Sequence, residues 1–158
     1  MTVRLRSLRP GDLGWVVQRH GVRYAEESGF DQTFEALTAR VVADYVRDHV
    51  PGDDAWIAEL DGEPVGSVFC VRVDESTAKL RLLLVEPAAR GLGVGRALVD
   101  ECVRSARAAG YRRLALWTVA DQVAARRIYR RAGFVRLDET PQRLFGRDVV
   151  GENWELTL

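Results

Sequence analysis

Residues Leu82 to Cys102 read LLLVEPAARGLGVGRALVDEC, and the rest of the chain is organised around them. Leu82, Leu83, Leu84 and Val85 form an apolar run of the kind that ends a buried strand. Pro87 has no N–H to give to a ladder, so it predicts the strand's stop. Gly91, Gly93 and Gly95 predict a tight turn stripped of side chains. Beyond them Leu98, Val99, Cys102, Val103 and Ala106 recur at the spacing of one helical face.

A strand, a bare turn and a helix start make an anion cradle. Unpaired N–H groups and the helix dipole both favour phosphate there, and Arg90 and Arg96 add positive charge. Two other phosphate loops are excluded by detail. A P-loop ends in Gly-Lys-Ser/Thr, whereas Gly95 is followed by Arg96 and Ala97. A dinucleotide loop needs Gly-x-Gly-x-x-Gly after the first strand, whereas this Gly-x-Gly-x-Gly falls past the middle of the chain.

Outward from the cradle, the chain alternates periods. Val3 to Leu8 alternates apolar and charged residues and predicts a strand. Pro10-Gly11-Asp12 predicts a turn with Asp12 as helix N-cap. Leu13, Val16, Val17, His20 and Tyr24 follow at helical spacing, and Gly29 ends that helix. A second helix starts near Asp31 or Thr33, with Phe34, Leu37, Val41 and Tyr45 on one face. Trp56 to Leu60 and Pro64 to Val73 are strands joined by Asp61-Gly62, a two-residue hairpin signal. Thr77 to Val85 is the strand that leads into the cradle. The helix after it reaches about Ala109, with Gly110 as cap. Leu114 to Thr118 is a short strand, Gln122 to Ala132 a helix, and Phe134 to Phe145 and Val150 to Leu158 two last strands. A meander followed by βαβ units predicts a mixed α/β fold: a central twisted sheet of six to seven strands with helices on both faces.

The 158 residues suit a single domain over 1–158. Acidic and basic residues number 23 each, so no global charge argues for nucleic acid or an anionic membrane. No apolar run approaches the ~20 residues that span a bilayer. Two cysteines are too few for a disulfide framework and, with no signal-peptide pattern near the N-terminus, suggest the cytoplasm. The two histidines and two cysteines lie too far apart in sequence to suggest a metal site.

Arg90-Gly91-Leu92-Gly93-Val94-Gly95, preceded by the Val85-Glu86-Pro87 step, resembles the acyl-CoA pyrophosphate loop of the GNAT superfamily of N-acetyltransferases. Ala125, Tyr129, Gly133 and Phe134 are similar to that family's later motif, a tyrosine four residues after an alanine and four before a glycine. The resemblance covers essentially the whole chain. It is nearest to the acetyltransferase halves of bacterial fusions with a MarR-type winged-helix domain, although no winged-helix pattern is present. The resemblance implies acetyl-CoA as cosubstrate and direct attack of a primary amine in a ternary complex. The acceptor is then a small-molecule or peptide amine, and a homodimer is possible. A non-catalytic acyl-CoA-sensing module of the same fold is the alternative.

Residue by residue, the resemblance implies that Gly91 to Arg96, with Arg90, hold the pyrophosphate. Leu83, Leu84 and Val85 pair with the pantetheine arm, and Tyr129 protonates the leaving thiolate. The family's asparagine near the start of the tyrosine's helix is replaced by Gln122 or Asp121. Its usual strand glutamate falls on Lys79, next to Arg81, and neither is a base while charged. The two-helix segment, which lines the family's acceptor pocket, offers the alternative. Tyr24, Glu26, Glu27, Phe30 and Asp31 mix aromatics with carboxylates, which suits a cationic amine. Glu27 lies one turn from Tyr24 and is the preferred base and acceptor contact, with Tyr24 and Phe30 as further contacts. His20 is a second candidate base. Arg143, Phe145, Arg147, Glu152 and Trp154 belong to a C-terminal hairpin that helps shape the pocket. Arginines lining it would favour a carboxylated amine.

Overall fold

Seven strands make one sheet in the order β1-β2-β3-β4-β5-β7-β6. They are β1 (Val3–Arg6), β2 (Asp54–Leu60), β3 (Glu63–Arg72), β4 (Thr77–Val85), β5 (Arg113–Val119), β6 (Val135–Leu144) and β7 (Arg147–Thr157). Four helices complete the computed structural model, which describes residues 2–158: α1 (Asp12–Ser28), α2 (Gln32–Arg47), α3 (Val94–Ala108) and α4 (Val123–Ala132). Only β4 and β5 pair in parallel; all other neighbours are antiparallel. This is the mixed, twisted sheet that the strand pattern predicts.

Two apolar layers hold it. On one face α3 packs Leu98, Val99, Cys102 and Ala106 against Val68, Leu80, Leu114 and Leu116, and Ile128 and Tyr129 of α4 join them. On the other, Val16 of α1 and Val42 of α2 cover Ala55, Ile57 and Phe69. Burying a side chain of this size stabilises by ~1.5–3 kcal/mol each, so the two layers supply most of the driving force.

Local signals are met where backbone geometry demands a residue type. Asp61 and Gly62 both take positive φ (51° and 81°), the geometry of a tight hairpin turn. Gly29 and Gly133 end α1 and α4 in the left-handed region. Two expectations fail near the N-terminus. β1 stops at Arg6, not Leu8, because Arg6 turns its guanidinium to Asp12 and Glu59, each at 2.7 Å. Asp12 is inside α1 and does not cap it; Gly11 takes the cap position, and the Asp12 carboxylate accepts from Arg6 and from the Arg9 N–H. At the other end β7 begins at Arg147, since Phe145-Gly146 (φ 57° and 81°) forms a second two-residue turn.

His20 lies on α1 and is 1 % exposed. Its Nδ1 sits 2.7 Å from the Val16 carbonyl and its Nε2 has no partner among the described residues. Burial pushes its pKa down to about 4, against the Val16 carbonyl and Glu86, which pull it up.

Two stability predictions result. A Cβ on Gly66 would stand 2.6 Å from the Leu84 carbonyl oxygen and 3.0 Å from Leu98, with backbone on one side that has nowhere to go. Gly66→Ala is expected to destabilise by ~1–3 kcal/mol. Gly14→Ala, whose Cβ meets nothing within 4 Å, is expected to cost nothing. Urea titration of both variants checks this; equal midpoints would mean that β3 and β4 tolerate separation. For His20, an unfolded imidazole titrates near 6.5 while the folded one stays neutral to about 4. Between those values the unfolded chain binds the extra proton, so stability is full above pH 6.5 and falls as pH drops towards 4. His20→Phe should reduce the loss of unfolding free energy between pH 7.0 and 4.5 by about 2 kcal/mol. An unchanged loss would show that the imidazole titrates normally in the fold.

Candidate active site

The parallel pairing of β4 with β5 runs from Thr77↔Arg113 to Lys79↔Ala115 and stops. From Leu80 to Val85, β4 keeps its ladder with β3 but among the described residues has no strand partner on its other edge. A bulge accompanies the parting. Phe69 faces Arg81 and Ser67 faces Leu84, so Leu82 and Leu83 together oppose Val68. Leu82 takes φ 54°, a conformation that costs a side-chain-bearing residue ~1–2 kcal/mol. The Ser67 hydroxyl donates to the Leu82 carbonyl at 2.8 Å and pins the distortion.

At Val85 the strand meets the cradle. Pro87–Ala89 form one 3-10 turn, Gly91 and Gly93 take φ 77° and 82°, and α3 starts at Val94. Neither Gly91 nor Gly93 is crowded; positive φ alone requires glycine there. Gly95 differs from the expectation. It does not turn the chain but lies inside α3, where a Cβ would stand 2.6 Å from Ile128 Cδ1. Its role is to let α4 approach α3. Among the described residues the N–H groups of Gly91 to Arg96 have no backbone acceptor; the first paired one is Ala97, bonded to the Gly93 carbonyl. Arg90 flanks this row.

A cleft of about 1230 Å³ joins the cradle, the free edge of β4 and the α1–α2 face. Its lining brings together Leu83, Leu84, Val85, Arg90, Gly91, Gly93, Val94, Gly95, Arg96, Gln122 and Tyr129, together with Tyr24, Glu27 and Phe30. Leu92 is the one predicted contact outside it; its side chain is exposed on the outer side of the turn. Tyr129 is 5 % exposed, packed on Phe134 and Trp154, and its hydroxyl makes no hydrogen bond among the described residues. Burial raises its pKa well above the usual phenol value, and Tyr24, close by, raises it further. Tyr24 is itself pushed up to about 12, by burial and then by Glu27. Both phenols are therefore neutral at working pH.

Several contacts in and around the cleft were not legible in the sequence. Glu27 is held by Arg90 at 2.7 Å, which ties α1 to the cradle. Glu86 of the Val-Glu-Pro step ties β4 to α1 through Arg19. The Gln122 side-chain amide donates to Ser28 at 2.9 Å, and Arg147 bridges Asp121 (2.9 Å) and the Ser28 carbonyl. These bonds seat the β6–β7 hairpin on the α1–α2 turn, where Tyr24, Phe30, Phe34 and Phe145 form one aromatic cluster. Phe30 is thus a wall of the cleft, 4 % exposed, with the Arg147 guanidinium over its ring. Glu152 turns inward and is fully buried, bound by Arg126, Arg136 and the Trp154 indole. Among the described residues no group of His, Cys, Asp or Glu is arranged to hold a metal ion.

Comparison with known proteins agrees with this geometry. The acetyltransferase (GNAT) family model matches residues 19–134. N-acetylaspartate synthetase of Danio rerio is 36% identical over 90 residues, 56% of this chain and 32% of that protein. Mycothiol acetyltransferase of Sanguibacter keddieii is 34% identical over 149 residues, 85% of this chain and 44% of that protein. The chain therefore spans less than half the length of these curated relatives. A Salmonella typhimurium structure solved with its cofactor acetyl-CoA superimposes with a TM-score of 0.81 at 20% identity, covering 100% of this chain and 95% of that one. With its splayed β4, glycine cradle and mixed seven-stranded sheet, this chain belongs to the acetyltransferase (GNAT) family.

Proposed function

We propose that the protein moves the acetyl group of acetyl-CoA to a primary amine by direct attack in a ternary complex. The observation that carries this reading is the free edge of β4 beyond Lys79, which runs into the cradle along one cleft shared with Tyr129. The residues fit the coenzyme. The unpaired N–H groups of Gly91 to Arg96 and the side chains of Arg90, Arg96, Arg127 and Arg131 suit its phosphates. The N–H and C=O groups between Leu83 and Val85 that point away from β3, to the free edge, suit its amide-bearing arm. Acetyl-CoA supplies the thioester carbonyl that the amine attacks.

The amine loses one proton as the C–N bond forms, and the sulfur gains one as the C–S bond breaks. Tyr129 gives the second proton. Its raised pKa makes it a reluctant donor to a thiolate in water, but the same apolar site destabilises a thiolate as well and raises its proton affinity. Glu27 takes the first. Arg90 is the residue that would turn to the coenzyme's phosphates, and in doing so it would free the Glu27 carboxylate from its ion pair to accept a proton. Gln122, held by Ser28, fixes the start of α4 and with it the position of Tyr129.

The sensor alternative has one observation on its side: β4 carries Lys79, with Arg81 nearby, where the family resemblance implies a glutamate. The narrower likeness to MarR-type fusions has no counterpart among the relatives named above. Those relatives are named for different molecules, N-acetylaspartate and mycothiol, and do not select an acceptor.

Thiol release from acetyl-CoA with a panel of amines separates the readings. Release with at least one class of amine is expected. Tyr129→Phe should lower kcat about 100-fold or more and keep the acetyl-CoA Kd within about twofold. Unchanged turnover would remove the acid role, and coenzyme binding without release across the panel would favour the sensor.

A further inference from the structure

The cleft is lined by more positive charge than the coenzyme explains. Its two lining carboxylates, Glu27 and Asp121, are each held by a guanidinium, from Arg90 and Arg147. Among its lining cations, Arg127 and Arg131 lie on α4 beside Arg96, at the cradle end. Lys79 and Arg81 lie at the other end. Measured along β3 beside the bulge, Val85 (opposite Gly66) is five residues from Lys79 (opposite Val71) and three from Arg81 (opposite Phe69), about 17 Å and 10 Å at ~3.3 Å per residue. Both residues therefore sit on the strand ahead of the cradle, on the side of the α1–α2 face.

Lys79 and Arg81 point to the α1–α2 face. They alternate with Leu80, which is buried in the α3 layer, and Arg81 is the cross-strand partner of Phe69, which belongs to the α1–α2 layer. Both are half-buried, and among the described residues neither side chain makes a hydrogen bond or an ion pair. The nearest acidic influence on Arg81 is Asp44 of α2, which is engaged by Arg47 at 2.8 Å. Burial depresses both pKa values, and Arg81 depresses that of Lys79 further. Two like charges, partly desolvated and side by side, are a standing cost that a bound anion relieves. The same half of the cleft holds the buried His20, whose Nε2 is free to accept a hydrogen bond, and the partly exposed Leu37.

We infer that Lys79 and Arg81 form a subsite for an anionic group on the acceptor, so that the preferred substrate is an amine that also carries a carboxylate or phosphate. This rests on the acetyl-transfer reading above and names the acceptor class for that site. The Arg81 fork suits two oxygens of such a group and Lys79 adds a point charge. Polyamines, which bring only positive charge, are disfavoured by the same pair.

The test compares acceptors that differ only in the anion: amino acids against their carboxamides, and O-phosphoethanolamine against ethanolamine. The better member of each anionic pair is expected to exceed its neutral partner in kcat/KM by about 10- to 100-fold, the worth of one or two charge-assisted hydrogen bonds. The carboxylate and phosphate arms show which anion fits. In Arg81→Gln and Lys79→Met the ratio should collapse towards one. Both variants remove an unpaired cation, so melting temperatures at or above that of the parent are expected and report that folding is intact. A ratio near one in the parent, or one that survives in both variants, overturns the subsite while thiol release keeps the transfer reading. If no amine supports release, the transfer reading fails and the subsite is judged by calorimetry with N-acetylglutamate on coenzyme-loaded protein. Binding lost in Arg81→Gln sustains it, and no binding overturns it.

Discussion

The parting of β4 from β5 is the constraint on which the molecule depends. A parallel pair that stayed in register would satisfy every backbone group between the strands and leave no room for a ligand. Here pairing ends at Lys79↔Ala115, and a bulge at Leu82 and Leu83 re-aims the strand while β3 continues to hold it. The fold bears an unfavourable φ at Leu82 and a row of unpaired backbone groups, which Ser67 offsets in part from the far edge. Distortion of this kind persists where the surroundings over-determine it. Gly66 does so by letting β4 and α3 come too close for any other side chain.

The second organising fact is the way charge is divided along the cleft. The chain has no net charge, yet its ion pairs are distributed so that carboxylates near the cleft are neutralised and several cations are not. Arg90 serves both sides of this division. It restrains Glu27 in the structure described here and stands beside the unpaired amides of the cradle. An exposed ion pair is worth ~0–1 kcal/mol, so a phosphate supported by several N–H groups outcompetes Glu27 easily.

Much of this was legible in residue order. Asp61-Gly62, Gly29, Gly133 and the limits of β4 follow from backbone rules that act within a few residues, and local rules survive folding. The cradle was legible for the same reason. What was not legible depends on partners distant in sequence. Leu82 reads like the leucines after it, and only Ser67 across the ladder reveals that it is a bulge. Gly95 reads like a turn glycine, and only Ile128 shows that it is a packing contact. Glu27 reads as a base facing the acceptor and Glu86 as a member of the Val-Glu-Pro step, while the arginines that hold them lie 63 and 67 residues away. Glu152 reads as a pocket charge, although two arginines and an indole draw it into the interior. Phe145 hides a hairpin turn because an aromatic residue rarely accepts positive φ; Gly146 beside it was the available hint.

The pocket end of the cleft also explains how a cation-rich site can serve an amine. An ammonium group brought next to Lys79 and Arg81 would be repelled and would lose its proton more readily, since a nearby like charge lowers the pKa of an amine. An acceptor with an anion at one end places that anion on the pair and its amine farther along the cleft, towards Tyr24 and Tyr129. The apolar surroundings there, Phe30 and Phe34 with the ring of His20 stacked on Tyr24, favour the neutral amine over the ammonium. Attack on a thioester needs that neutral form. Under the proposed transfer, the aromatic wall acts on the amine's pKa in the direction that attack needs, which lessens the demand on Glu27 as base. In the same reading Lys79, where the family resemblance implies a glutamate, holds the acceptor's anion with Arg81 and leaves the proton to Glu27.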